Sequence, residues 1–149
     1  MRLWHYELLP FLPKSQLVAQ WRELNMIFKK QKKHILINYV YEYASENLMF
    51  YTAYVISEMK KREYNIKSFE NYVNFFRSKR CDDECIKDCM SGYKPKTNPF
   101  PNHHNYRYLL QCFYNLQEKY DRGQKDFSKA QYLVLEHFVE KKRFINNME

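Results

Sequence analysis

Glycine, proline and long apolar runs are scarce in this sequence. Two glycines and five prolines among 149 residues leave little room for a disordered chain. So few glycines also disfavour turn-rich β sandwiches and glycine-rich phosphate-binding loops. No apolar run approaches the roughly 20 residues that cross a bilayer, and Glu7 interrupts the start where a signal peptide would be apolar. We therefore expect a soluble, cytoplasmic protein that contacts no membrane.

The residues that are abundant favour one folded domain. Hydrophobic residues make up 45% of the chain, and a chain of this length suffices for a single compact domain with a substantial core. We find no internal repeat and no low-complexity linker. The predicted domain therefore spans residues 1–149, and we expect it to act as a monomer.

Positive charge is in excess and is distributed unevenly. The chain has 25 Lys and Arg residues against 17 Asp and Glu residues, a formal net charge of +8, which favours a polyanionic partner. Up to position 33, seven basic residues face only two acidic ones: Arg2, Lys14, Arg22, Lys29, Lys30, Lys32 and Lys33 against Glu7 and Glu23. For the run KKQKK alone, a solvated helix end is an equally good explanation. The charge therefore indicates where a polyanion would bind without identifying it.

Apolar residues at helical spacing predict the first helix. Pro13 and Ser15 are typical of a helix start, and Lys29 to Lys33 favour the negative end of the helix dipole. Four apolar residues between them share one helical face: Leu17, Trp21, Leu24 and Phe28.

Similar patterns predict four further helices. Ser45, Asn102 and Ser128 are expected to cap three of them, and Ser68 is expected to begin the remaining one. Gly123 is expected to stop the fourth helix, and the last is expected to end near residue 144. The segment ILINYVYEY has strand-like residues, but no hairpin dipeptide or sustained alternation accompanies it. We predict an all-α fold: a single compact bundle of about five helices, with the N-terminal segment packed against the helices.

The chain starts with MRLWHYELLP, in which bulky and aromatic residues follow the first methionine at once. Such a start predicts packing from residue 1. The order MRL…LVAQWREL…F…KKH resembles the N-terminal part of the pyrimidine-dimer DNA glycosylases, the family of bacteriophage endonuclease V. Here WREL, residues 21–24, stands where that family has Tyr-Arg-Glu-Leu. MKKREYNIK, residues 59–67, is similar to the family's Lys-Arg-Gly-Phe-Asn-Ile stretch.

The resemblance implies a DNA repair glycosylase with abasic-site lyase activity, acting on lesions in double-stranded DNA, with pyrimidine dimers as the expected lesion. It implies no cofactor and no metal. The Met1 α-amine would form an imine with the sugar, and Glu23 would stabilise that cation and assist proton transfers. An α-amine suits this task because its ordinary pKa of about 7.7 to 8.0 leaves roughly a tenth unprotonated at neutral pH.

The resemblance also implies a DNA-binding surface. Guanidinium groups pair with phosphate oxygens, and lysines add salt-sensitive affinity. The implied DNA-binding residues are Arg2, Arg22, Lys29, Lys30, Lys32, Lys33 and His34. The chain departs from the family pattern at Gln16, where the family has His, and at Met26, where it has Arg.

Cysteines and histidines later in the chain support alternative hypotheses. CDDECIKDC places Cys81, Cys85 and Cys89 on one stripe of an unbroken helix. A buried stripe is the simplest interpretation, since the outer two would lie about 12 Å apart, too far for one ion. A Cys/His metal-binding regulatory domain would explain this cluster but not the packed start. A non-catalytic basic helical nucleic-acid-binding protein would explain the charge but not WREL. Both alternatives stay open.

Overall fold

All 149 residues are described by a computed structural model, which contains helices and no strand. Six α-helices follow one another: α1 (Lys14–Lys30), α2 (Ser45–Lys61), α3 (Phe69–Ser78), α4 (Asp83–Met90), α5 (Tyr106–Asp121) and α6 (Lys129–Met148). Two 3-10 helices, Tyr6–Phe11 and Asn38–Glu42, precede α1 and α2. The all-α prediction is confirmed. The predicted number of about five helices is too low, because α4 is a separate helix of eight residues.

Of two predicted helix starts, the structure confirms one and places the other three residues later. Ser128 caps α6 as predicted, in a reciprocal capping box with Gln131. The predicted cap Asn102 is wrong, since Asn105 caps α5 by accepting a hydrogen bond from the Tyr108 N–H at 3.0 Å. Residues 100–104 form a turn of their own, in which two successive N–H groups donate to the Phe100 carbonyl. That turn delays the helix by three residues.

Two other predicted boundaries differ and one agrees. Ser45 is the first residue of α2 and makes no capping bond. Ser68 immediately precedes α3, where this helix was predicted to begin, and has a left-handed conformation. The last helix continues to Met148 rather than ending near Phe144. ILINYVYEY forms a turn and the second 3-10 helix. No helix in the structure has the length and apolar character needed to cross a bilayer.

α2 is the centre of the bundle. It packs against α1, α3, α4 and both 3-10 helices, while α5 packs against α6. The first 3-10 helix joins these two groups, because it contacts α2, α5 and α6. Its Leu8 and Leu9 are fully or almost fully buried in the hydrophobic core. The N-terminal segment is therefore part of the packed body of the protein.

Residues 3 and 4 are buried and belong to no helix, so their backbone polar groups need partners from elsewhere. The Trp4 N–H donates to Gln20 Oε1 at 2.8 Å. The Tyr51 hydroxyl donates to the Trp4 carbonyl at 2.7 Å, and the Tyr108 hydroxyl donates to the Leu3 carbonyl at 2.5 Å. Side chains of α1, α2 and α5 thus hold the chain two residues from its start, which limits where residue 1 can lie.

Candidate active site

Met1 and Glu23 line the same cavity, which we call the Glu23 pocket. Its volume is about 240 Å³, and it lies between the N-terminal segment, α1 and α5. Its lining residues are Met1, Arg2, Trp4, Gln16, Ala19, Glu23, Asn115 and Lys119. Positions 16, 19 and 23 follow helical spacing, so one flank of α1 forms a wall of the pocket. Two basic residues, Arg2 and Lys119, make the pocket suitable for an anionic ligand.

The buried side chain of Gln20 connects the N-terminal segment to Glu23. Its Nε2 group donates to the Arg2 carbonyl at 3.1 Å and to Glu23 Oε2 at 3.3 Å. Its Oε1 atom accepts from the Trp4 N–H at 2.8 Å and from the Tyr51 hydroxyl at 2.9 Å. All four hydrogen-bonding positions of the amide are therefore used. The planar amide of Gln20 therefore orients both the Glu23 carboxyl group and the backbone of residues 2–4.

Sequence reasoning missed Gln20, although a signal for it existed. Gln20 lies three residues after Leu17 and three before Glu23, which places it between the buried stripe and the pocket flank of α1. A glutamine on a buried face requires hydrogen-bond partners. Its partners in the N-terminal segment and α2 cannot be read from the local pattern.

Burial determines the protonation behaviour of Glu23. Removal from water raises the pKa of its carboxyl group, and this outweighs the N-terminal amine, the Arg2 N–H, Arg22 and His34, which all lower it. No salt bridge joins the Met1 amine to this carboxyl group. The two groups share a pocket without a direct ion pair. A carboxyl with a raised pKa exchanges protons more readily near neutral pH than an exposed one.

The predicted DNA-binding residues divide between the two flanks of α1. Arg2 is half-buried in the Glu23 pocket, but Arg22 lies on the opposite flank. Together with Lys29 and Lys67, Arg22 lines a second cavity of about 260 Å³. The structure therefore does not bring Arg22 into the Glu23 pocket. Three cations around one cavity form a positively charged surface beside it.

The remaining lysines lie at the end of α1 and in the loop that follows. Lys30, Lys32 and Lys33 are exposed, while His34 is half-buried. The Tyr41 hydroxyl donates to the Lys32 carbonyl and anchors this loop. This hydrogen bond fixes the basic run to the body of the protein. None of these four residues lines the Glu23 pocket.

Two pocket residues of α5, Asn115 and Lys119, were not predicted. They lie one helical turn apart, and no local feature of α5 relates them to α1, which is more than 80 residues earlier. Gln16, where the family pattern has His, also lines the pocket and exchanges hydrogen bonds with Gln124 at 3.2 and 2.8 Å. Only the packing of the chain brings these residues together.

The buried histidines His5 and His104, which we call the histidine pair, are hydrogen-bonded as neutral rings. His5 Nδ1 accepts from the Glu7 N–H at 3.2 Å, so its Nε2–H donates to the His104 carbonyl at 3.0 Å. His104 Nδ1 accepts from the Tyr6 N–H at 3.2 Å, so its Nε2–H donates to the Tyr39 hydroxyl at 2.6 Å. Every ring nitrogen has a partner, and the pair is a structural feature of the core.

Burial also keeps the histidine pair uncharged. It lowers the pKa of His5 to about 4 and lowers that of His104 well below its usual range. Lys142 adds to the lowering for His5, and the histidine neighbours add to it for His104. Neither ring is positioned to act as a general base at neutral pH.

The three clustered cysteines do not form the predicted stripe. Cys81 is buried but precedes α4, which begins only at Asp83. Of the two cysteines on α4, Cys85 is exposed and Cys89 is buried. Burial raises the pKa of both Cys81 and Cys89 to about 11, which disfavours the thiolate that metals and redox chemistry require. No group of three or more His, Cys, Asp or Glu side chains is arranged to hold a metal ion.

One pocket of this all-helical protein is lined by Met1, Glu23 and two basic residues, and a lysine-rich surface is nearby. This arrangement suits an anionic ligand. The family model described as pyrimidine dimer DNA glycosylase matches residues 1–71. The resemblance predicted from the N-terminal motifs is confirmed over this segment, and the match supports a DNA repair glycosylase. No significant match to a curated protein or to a solved structure was found.

The matched segment covers the N-terminal residues, α1, α2 and the start of α3. It therefore contains the Met1, Arg2, Gln20 and Glu23 positions. Asn115 and Lys119 lie outside it, on α5. The pocket is thus formed partly by the family segment and partly by the rest of this chain.

Proposed function

We propose that this protein is a DNA glycosylase and abasic-site lyase that acts on pyrimidine dimers in double-stranded DNA, with the Met1 α-amine as its nucleophile. The observation that carries this proposal is that Met1 and Glu23 line one pocket, in which buried Gln20 is hydrogen-bonded to both the N-terminal backbone and the Glu23 carboxyl group. The family match over the same residues supports it.

The first chemical step forms one bond and breaks another at the sugar. The unprotonated Met1 amine attacks C1′ of the damaged nucleotide, and the base leaves with the electron pair of the glycosidic bond and a proton. Opening of the sugar ring then leaves a protonated imine between the amine and C1′. Glu23 carries negative charge beside this cation and stabilises it. Its partial burial strengthens that interaction, since less water screens the two charges.

The second step breaks the DNA strand. The protonated imine acidifies the neighbouring C2′–H bond, and a base removes that proton. The electron pair forms the C2′=C3′ double bond, and the phosphate on the 3′ side leaves with the electrons of the C3′–O bond. The raised pKa of Glu23 suits it to pass protons during these steps. Water then hydrolyses the imine and frees the amine, so amine and carboxyl group together suffice without metal or organic cofactor.

Basic residues in and around the pocket would bind the DNA backbone. Arg2 and Lys119 line the pocket itself, and a guanidinium group can pair with two phosphate oxygens at once. Arg22, Lys29 and Lys67 surround the neighbouring cavity. These cations would bind phosphates on both flanks of α1, so the duplex would lie across this helix.

Borohydride trapping tests the proposal directly, because reduction converts an imine into a stable covalent adduct. We expect the protein to be trapped on an oligonucleotide that contains an abasic site. A version with extra residues before Met1 should bind the same DNA but give no adduct, since its α-amine lies outside the pocket. Full trapping by the extended protein would overturn the Met1 assignment.

The lesion is tested by comparing ultraviolet-irradiated duplex DNA with undamaged duplex DNA. Strand cleavage only in the irradiated duplex is the expected result. Binding to both duplexes without cleavage or trapping would instead support the non-catalytic nucleic-acid-binding protein.

A further inference from the structure

The turn that follows the basic run exposes two adjacent aliphatic side chains. Ile35 is 85% exposed and Leu36 is 44% exposed, whereas Ile37, the next residue, is fully buried. Single exposed aliphatic residues are common on protein surfaces. The exposure alone therefore assigns no role, and the conformation and position of the turn decide what it can do.

His34 fixes the conformation of this turn, residues 34–38, which we call the Ile35 turn. The His34 carbonyl accepts from the N–H groups of Ile37 and Asn38, both at 2.9 Å. The His34 N–H donates to Asn38 Oδ1 at 2.8 Å, and the ring Nδ1 accepts from the Leu36 N–H at 3.1 Å. The turn therefore holds the Ile35 side chain out of the protein body in a preorganised position, which reduces the entropy lost on binding.

The Ile35 turn and the Glu23 pocket both border α5. Ile35 and Leu36 line a third cavity, of about 280 Å³, whose lining includes Gln111 of α5. Asn115 of the Glu23 pocket follows Gln111 by four residues, about 6 Å along the helix. The exposed aliphatic tip and the candidate reaction site are thus neighbours along one face of α5.

The surroundings of the turn identify the kind of surface it contacts. Four lysines, Lys29, Lys30, Lys32 and Lys33, immediately precede it and are all exposed. Lysines attract a polyanion, whereas an aliphatic tip needs apolar surface to cover it. Double-stranded DNA offers both, because its charged backbone surrounds a stack of bases whose faces are apolar.

We propose that Ile35, with Leu36 behind it, is an apolar wedge that enters the base stack beside the lesion and fills the space left when a nucleotide turns out of the duplex. This inference rests on the proposed function. Turning out a nucleotide removes stacking contacts, and an inserted aliphatic side chain replaces part of them. The fixed turn places the wedge beside the pocket that would receive the sugar.

Fluorescence of 2-aminopurine, which rises when the base loses its stacking neighbours, provides the test. The duplex carries this base next to an uncleavable abasic-site analogue. We expect the wild-type protein to raise the fluorescence. Ile35→Ser should remove most of that rise and weaken binding roughly tenfold or more, the equivalent of about one buried aliphatic side chain. Ile35→Leu should keep both properties.

Two controls separate a wedge from a general contact. Leu133→Ser removes an exposed aliphatic side chain from α6 and should behave as wild type. A second DNA has unpaired bases around the analogue, so the gap is already open, and there Ile35→Ser should bind within about twofold of wild type. Equal loss on both DNAs, or no loss on either, would overturn the wedge. Ile35-dependent binding to anionic lipid vesicles, without an effect on the duplex, would overturn it in favour of a membrane surface.

Failure of the wedge can be told apart from failure of the proposed function. The analogue has no reactive C1′, so fluorescence reports unstacking without chemistry. If the wild-type protein forms no borohydride adduct while Ile35→Ser still abolishes the fluorescence rise, the enzymatic proposal falls and the wedge stands. If adducts form and Ile35→Ser leaves the rise unchanged, the enzymatic proposal stands and the wedge falls.

Discussion

The Glu23 pocket and the histidine pair both contain titratable groups that burial has removed from water, and both contact the N-terminal segment. In the histidine pair, each ring nitrogen is hydrogen-bonded to protein and both rings are held neutral. In the pocket, Glu23 accepts one side-chain hydrogen bond at 3.3 Å and faces a cavity. A buried group whose hydrogen-bonding atoms all have protein partners is structural. A buried group that keeps free hydrogen-bonding positions facing a cavity remains available for chemistry.

Among the changes that test this comparison, Glu23→Gln is expected to have the largest effect. Removing the negative charge beside the imine should lower turnover about 10²- to 10³-fold, by analogy with the loss of one electrostatic stabiliser. DNA binding should change little, because phosphate contacts come from other residues. Single-turnover cleavage and a binding titration measure the two effects. Glu70→Gln, an exposed change on α3, is the matched control, and equal losses in both variants would remove the special role of Glu23.

A second change tests the link between the pocket and the core. Gln20→Leu keeps the volume but leaves the buried Trp4 N–H and the Arg2 carbonyl without their partners. We expect the free energy of unfolding to fall by about 2–5 kcal/mol, and imine formation to slow because residue 1 is less well held.

Urea denaturation gives the stability and borohydride trapping gives the rate. Gln117→Leu, which removes one side-chain bond to Tyr132, should cost about 1 kcal/mol or less. A Gln20→Leu protein as stable and as reactive as wild type would show that the amide does not organise the site.

The histidine pair predicts a pH dependence of stability. Its folded-state pKa values lie below the usual histidine value near 6.5, that of His5 at about 4. The unfolded state therefore binds more protons below pH 6.5, and the free energy of unfolding should fall as the pH drops towards 4. The slope is at most about 1.4 kcal/mol per pH unit for each histidine.

Urea denaturation between pH 7.5 and 4.5 measures this slope. His5→Gln keeps a side-chain N–H donor at the Nε2 position but cannot titrate. The slope should therefore lose the contribution of one histidine, at most about 1.4 kcal/mol per pH unit. His137→Gln changes an exposed histidine of α6 and should leave the slope as in wild type. An unchanged slope in His5→Gln would contradict the neutral, buried state of that ring.

The smallest effect is expected from exposed lysines of the basic run, whose side chains are neither buried nor part of a pocket. Lys32→Gln combined with Lys33→Gln should weaken duplex binding several-fold and reduce the dependence of log affinity on log salt by about two. The pair Lys87→Gln and Lys96→Gln, also exposed but on α4 and the loop after it, should leave that dependence unchanged. Titrations at several salt concentrations measure it, and equal effects of the two pairs would remove the special role of the basic run.

Much of α1 was predictable from local spacing. The buried positions Leu17, Trp21, Leu24 and Phe28 were read from a repeat of three and four residues, and all four are buried in the structure. The same spacing placed Arg22 and Glu23 on opposite flanks, where they line different cavities. Helical periodicity is a property of neighbouring residues, so a sequence shows it without knowledge of the fold.

Errors occurred where a neighbouring stretch of the chain made a local interaction that competed with the predicted one. Asn102 has a good capping side chain, but the preceding turn around Phe100 postponed the start of α5 to Asn105. The cysteine segment has helical spacing, but the helix begins after Cys81 and leaves Cys85 exposed. In each case a polar side chain close to the predicted position caps the helix, Asn105 for α5 and Asp82 for α4.

The sequence by itself determined that the chain is helical, which face of α1 is buried and that the first residues are too apolar to remain in water. Only the tertiary structure decided what closes the Glu23 pocket and what holds its carboxyl group. Asn115, Lys119 and the partners of Gln20 come from separate helices, and contacts between distant segments depend on how all the helices pack at once. That packing brings the N-terminal segment and Glu23 of α1 to the same pocket.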